Sequence, residues 1–109
     1  MNQTPQSSPE LTDPRLLQLA PEDNVAVARR TIAAGEQILI AGQMVCLSGE
    51  IPVGHKLAVR HIAAGQKIIK YGAPIGSATR DIACGEHVHT HNIASEYLPA
   101  YTQRGLIAQ

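Results

Sequence analysis

The chain has no Phe, no Trp and three Tyr among its 109 residues. A buried core must therefore be assembled from Ile, Val, Leu and Ala, and there is no run of aromatics to serve as a stacking platform for bases. An excess of charge is missing too. Nine Lys and Arg balance nine Asp and Glu, the formal net charge is zero with the histidines neutral, and no basic block occurs. Nucleic-acid binding is therefore not expected. No stretch approaches the roughly 20 apolar residues that span a bilayer, and the N-terminus lacks a basic region followed by an apolar one. We expect no membrane segment and a cytoplasmic protein. Cysteine is scarce: Cys46 and Cys84, with no export signal, read as two reduced thiols. A core of small aliphatic residues leaves little excess stability, which favours association with a partner, a second copy of the chain included.

What the chain does contain is repetition. The pattern Ala-x-Arg-x-Ile-Ala-x-Gly-x-x-Ile/Val occurs from Ala28 to Ile38, Ala58 to Ile68 and Ala78 to Val88. In each copy an Ile (Ile32, Ile62, Ile82) stands three residues before a Gly (Gly35, Gly65, Gly85), and an alternating apolar run follows. Such a segment reads as a buried anchor, a tight turn and a strand. The glycines are 30 and then 20 residues apart, and an uneven period argues against a stacked solenoid. The pattern predicts one all-β domain of short strands and tight Gly turns, with a longer excursion from Ala41 to Gly54 after the first copy.

Residues 1–15 are rich in Gln, Ser, Thr and Pro and read as a disordered tail. Leu16-Leu17-Gln18-Leu19 opens either a short helix behind Asp13-Pro14 or a first strand; alternation resumes at Val25 to Ala28, which favours the strand. Further strands are expected at Glu36 to Ala41, Lys56 to Arg60, Gln66 to Tyr71 and Glu86 to His91, with a turn over Gly72-Ala73-Pro74-Ile75-Gly76. Residues 94–109 have no clean period and read as a C-terminal arm that orders on a partner.

The third copy runs into His87-Val88-His89-Thr90-His91-Asn92. On a strand His87, His89 and His91 share a face, neighbours about 7 Å apart and the outer pair about 13 Å. Two of them plus a group from elsewhere fit one divalent ion, and His55 is the natural third. A solvated face with one locally bonded histidine is the other reading. His87 occupies a repeat slot filled elsewhere by Gln37 and Lys67, so it is expected to be the solvated one. Cys84 precedes it by three residues but sits in the slot of Ala34 and Ala64, which reads as a requirement for small size. Lys56 and Lys70 lie at strand ends, either as surface lysines or as compact positive charges for a carboxylate.

These segments carry a resemblance. Asp23 to Ala28, Gly54-His55-Lys56-Leu57-Ala58, Ile69-Lys70-Tyr71-Gly72, Ile75-Gly76-Ser77-Ala78 and Gly85 to Asn92 resemble the small N-terminal domain of the altronate and galactarate dehydratase family. That domain is of the SAF class, with a β-clip fold. The likeness runs in order from about Leu16 to Ile93, and the block from Gly54 to Asn92 is its specific part. His61 departs from the family pattern, where an Asp is usual.

The resemblance implies a lyase acting on a hydroxylated sugar acid, working with a large catalytic subunit. Because the chain ends soon after the domain, it is similar to the form in which the domain is a separate small subunit, as in (2R)-sulfolactate sulfo-lyase. It implies that His55, Lys56, Lys70, Tyr71 and Asn92 contact substrate. His89 and His91 are implied in metal binding or acid and base work. The cofactor implied is a divalent metal, Fe2+ or similar, held in part or mainly by the large subunit. Three classes stay open: a dehydratase or sulfo-lyase subunit, a stand-alone carbohydrate-acid binding module, and a structural assembly module.

Overall fold

Each Ile-x-x-Gly turn closes on a partner turn, and the pairing organises the chain. The structure, a computed structural model, describes residues 12–95. Ile32 and Ile51 exchange two backbone hydrogen bonds of 2.9 Å, and Ile62 and Ile82 exchange two of 2.9 and 2.8 Å. Ile51-Pro52-Val53-Gly54 is thus a fourth copy of the device inside the expected excursion, with Pro-Val where the others carry Ala-Ala or Ala-Cys. Gly35 and Gly54 stand 19 residues apart and Gly65 and Gly85 20 apart, so the uneven period resolves into a duplicated unit. The hydrogen bonds repeat with it. Gly35 N donates to Leu47 O and Gly65 N to Ala78 O; Gly54 N donates to Ala28 O and Gly85 N to Ala58 O.

The strands are β1 (Leu16–Leu17), β2 (Val25–Ala28), β3 (Gln37–Ile40), β4 (Gln43–Cys46), β5 (Lys56–Ala58), β6 (Lys67–Lys70), β7 (Ala73–Ala78), β8 (His87–Val88) and β9 (Ile93–Ser95). All pairings are antiparallel, and no helix occurs among the described residues. The central sheet has the order β1-β2-β5-β8; β3-β4 forms a hairpin, and β6-β7-β9 a third sheet. The fold is all-β, as the pattern predicts. Two hairpins correspond across the duplication: β3-β4 turns at Ala41-Gly42 and β6-β7 at Tyr71-Gly72, each pair in positive φ. Positive φ at both turn residues matches the twist of a two-residue hairpin.

The second hairpin corrects the expected turn over Gly72 to Gly76. The turn is confined to Tyr71-Gly72, and Ala73 to Ala78 are a strand. Pro74 is tolerated because it pairs with Ile69 beside a bulge and beyond the stretch covered by β9. Gly76 is required further along, since a Cβ there would lie 2.5 Å from Ala94 O on β9. Thr12 to Arg15, grouped above with the tail, form a turn: Thr12 Oγ1 accepts Ala41 N and Asp13 N donates to Leu39 O. Leu16 opens a strand rather than a helix, and Ala94 and Ser95 belong to β9. The rest of the expected tail and arm lies outside the described residues.

Packing repeats the duplication. One core cluster gathers Ile32, Ile38, Ile40, Leu47, Ile51 and Leu57 around the first bridge, and a second gathers Val25, Ile62, Ile68, Ile82 and Val88 around the other. Each buried Ile contributes on the order of 1.5–3 kcal/mol by removal from water. Strands β5 and β8 join the two halves, and the side chains of interest stand there.

Candidate functional site

His55 follows the Gly54 turn and is held by its own backbone: His55 N donates to Pro52 O, and its carbonyl accepts Ala28 N. Register then brings in the second group. Lys56 pairs with Val88 and Leu57 with His87, so continuing by one residue sets His55 across from His89. Cross-strand neighbours on one face lie about 5 Å apart, and the rings stack accordingly. The His55 centroid is 4.6 Å from that of His89 and 5.1 Å from that of His87, and His87 is 5.4 Å from His89. His55 Nδ1 meets His87 Nε2 at 2.9 Å.

His91 arrives by a different route. β8 ends at Val88, and His89 to Asn92 form a turn, so the outer histidines are not held apart by a straight strand. The His91 ring centroid lies 5.5 Å from that of His87. Asn92 makes the turn. Its side chain is fully buried; Oδ1 accepts His89 N at 2.9 Å, Nδ2 donates to His87 O at 2.9 Å, and its carbonyl accepts Thr79 N.

Electrostatics in the cluster have one sign. Burial lowers the His87 pKa, and His55, His89, His91 and Lys56 lower it further. Partial desolvation lowers that of His89, with His55, Lys56 and His91 adding to it. Lys56 is itself lowered, first by burial and then by Lys70. No carboxylate contributes to any of these three shifts; beyond burial, only imidazole and ammonium groups set them, and such a set suits an anion or a metal ion. Lys70 ends β6 with its ammonium 5.1 Å from the Tyr71 ring centroid.

Of the residues expected from the sequence, His55, Lys56, His89, His91 and Lys70 come together. Tyr71 is an exposed hairpin tip, connected to the cluster through Lys70. Asn92 is buried beneath the histidines with its amide committed to backbone groups. His87 is the difference. Expected to be solvated, it is partly buried and touches the other three rings, because β8 lies next to β5 instead of at a free face. The repeat slot gave no warning, since Gln37 and Lys67 occupy β3 and β6, which have other neighbours. Asp23 was also missed. It is fully buried; Oδ1 accepts Gly72 N at 2.7 Å and Oδ2 accepts Ala20 N at 3.2 Å, which ties the Lys70-Tyr71 hairpin tip to the start of β2. An Asp-Asn pair just ahead of a strand was the available signal.

Fold and cluster together define a small all-β domain that presents imidazole and ammonium groups at the junction of two similar halves. Comparison with known proteins is specific. The profile of the altronate/galactarate dehydratase SAF domain matches residues 14–96. The altronate dehydratase of Escherichia coli (strain K12) is 50% identical over 70 residues, which are 64% of this chain and 14% of that protein. The altronate dehydratase of Bacillus subtilis (strain 168) is 40% identical over 87 residues, 76% of this chain and 18% of that protein. Subunit alpha of (2R)-sulfolactate sulfo-lyase from Chromohalobacter salexigens is 48% identical over 46 residues, 42% of this chain and 49% of that subunit. The chain belongs to the altronate/galactarate dehydratase SAF domain family. It spans less than a fifth of the length of the two altronate dehydratases.

Proposed function

We propose that the chain is the SAF subunit of a sugar-acid dehydratase of the altronate or galactarate type, working in the cytoplasm with a large catalytic subunit. The observation that carries this reading is the gathering of four histidines and Lys56 around the β5-β8 junction, with Lys70 at the end of β6 acting on Lys56, in the segment that resembles the family most specifically. Removing water from a 2,3-dihydroxy acid needs a base for the α proton, stabilisation of the enediolate formed on the carboxylate, and an acid for the departing hydroxyl. Lys56 and Lys70 supply compact positive charge for the carboxylate. His89 and His91 are assigned to metal binding or to acid and base work, His91 standing at the exposed side of the cluster. Tyr71, whose ring faces the Lys70 ammonium, is assigned to substrate contact, and Asn92 acts through the backbone of His87 and His89.

A divalent metal fits the donor set, since imidazoles suit Fe2+ and its neighbours. When bound, it polarises the carboxylate and lowers the cost of forming the enediolate. Further ligands and the remaining acid-base groups belong to the large subunit in this reading.

A second reading is supported by the sulfo-lyase match, because those relatives are themselves named as subunits and are covered to 49% and 64% of their length. Desulfonation starts from the same proton abstraction and differs in the leaving group. The experiment is co-purification with a large dehydratase-like subunit, sought first in the neighbouring open reading frame, followed by turnover of altronate, galactarate and sulfolactate. Turnover of a sugar acid by the complex, with little by the chain alone, is expected. Lys56→Gln should raise KM by about tenfold, the loss of one charge-assisted contact. Turnover of sulfolactate alone selects the second reading, and sugar-acid binding without turnover by any complex selects the stand-alone binding module.

A further inference from the structure

We propose that this chain holds one divalent transition-metal ion through His55, His87 and His89, by itself and without the large subunit, with His91 outside the coordination set. For its use in catalysis the inference rests on the reading above; for binding it stands on geometry.

The ligating nitrogens of these three residues all lie within 4.8 Å of one another. Two ligands at about 2.1 Å from an ion are separated by about 3.0 Å when adjacent in an octahedron and at most about 4.2 Å when opposite. The 2.9 Å between His55 Nδ1 and His87 Nε2 already has the length of an adjacent pair. Rotation of the His89 ring about its own side-chain bonds closes the remainder.

The scaffold holds the donors before any ion arrives. Val88, between His87 and His89, is fully buried in the second core cluster. The buried Asn92 side chain clamps His87 O and His89 N, while the Gly54 turn fixes His55 from the other strand. Ligands set on paired strands with clamped backbones lose little freedom on binding.

Donor chemistry selects the metal. Three imidazoles with no carboxylate suit Zn2+, Co2+ or Fe2+ and do not suit Mg2+ or Ca2+, which prefer oxygen. Three neutral ligands also leave the double charge uncompensated and coordination positions open, the arrangement of a reactive rather than a structural centre. Lys56, which acts electrostatically on His87 and His89, and Lys70, which acts on Lys56, add positive charge nearby, so the natural fourth ligand is an anionic oxygen.

The test uses the full chain, untagged and stripped with a chelator. Co2+ is titrated while the visible d–d bands are followed, and Zn2+ binding is measured by calorimetry, with Mg2+ and Ca2+ as controls. Expected are one equivalent of Co2+, no heat from Mg2+ or Ca2+, an affinity at least about tenfold lower in His55→Ala, His87→Ala and His89→Ala, and a change under about threefold in His91→Ala. Circular dichroism of each variant establishes that the fold persists; where an alanine variant unfolds, the His→Gln variant at that position replaces it. Dependence on His91 equal to that on His87, or absence of Co2+ bands, overturns the proposal. A chain that fails to bind Co2+ in a complex that still turns over sugar acids refutes the metal site and leaves the functional reading standing. A chain that binds Co2+ in a complex inactive on all three acids does the reverse.

Discussion

Replacing Gly85 by Ala isolates what the turn before the histidines requires. Gly35, Gly65 and Gly85 have nearly the same backbone, with φ of +86, +87 and +88°. An L-residue in this left-handed region costs about 1–2 kcal/mol, so Gly35→Ala and Gly65→Ala, whose added Cβ has nothing within 4 Å, should lose that amount. At Gly85 the Cβ would lie 2.6 Å from Val45 Cγ1 and 3.6 Å from Leu47 Cδ2. Val45 is packed against the first core cluster, and a β-branched side chain has no slack rotamer to offer. Overpacking adds about 1–3 kcal/mol. The total of about 2–5 kcal/mol is a large share of the stability of a domain this size. Urea unfolding of the three variants, followed by far-ultraviolet circular dichroism because the chain has no Trp, gives the comparison directly. Each kcal/mol should also lower Tm by about 4–8 °C. If Gly85→Ala is no less stable than Gly35→Ala and Gly65→Ala, the steric part of the argument is wrong.

Other expectations follow from the supports of the cluster. Asn92→Ala leaves His89 N and His87 O without partners and should cost about 2–4 kcal/mol in urea unfolding, with Co2+ affinity falling in parallel. Asp23→Asn puts an amide hydrogen against one of two backbone donors and should cost about 1–3 kcal/mol; equal urea midpoints for variant and parent would show the Gly72 tie to be idle. The lowered pKa values of His87 and His89 make the unfolded chain the better proton acceptor, so stability is fully present above the unfolded value of 6.5 and falls as the pH drops through it towards the folded values. The urea midpoint should decline between pH ~7.5 and ~5, and His87→Gln should flatten that decline. A steeper decline in the variant would reverse the sign of the argument.

Much of the fold is legible along the chain because it depends on local rules. Ile-Ala-x-Gly marks a buried anchor and a turn wherever it occurs, and alternation marks the strands after it. The fourth copy escaped because Pro52-Val53 replaces the small pair, although φ at Gly54 is +83°, close to the +86 to +88° that makes the others turn. Pro74 stands inside the expected turn over Gly72 to Gly76, yet it joins a strand: beside a bulge and past the end of β9 its missing N–H is not required. Lys56, His89 and the partnership of His55 were within reach of sequence reasoning, since a polar group at a strand end next to a Gly turn has few structural reasons to be there.

The amino-acid order by itself marked β1, β2, β3, β5, β6 and the start of β8, the turns at Gly35, Gly65 and Gly85, the aliphatic core and the short list of imidazole and ammonium groups, all consequences of side-chain periodicity and glycine geometry acting over a few residues; β4 and β7 stand where an excursion and a turn were expected. Which histidines meet was decided only by tertiary structure. The register of β5 against β8 sets His55 across from His89, and the Asn92 turn brings His91 to His87, over a separation of 32 residues between His55 and His87. Pairing at that distance depends on two Ile bridges formed elsewhere in the molecule, and no pattern within the His87 to Asn92 segment encodes it.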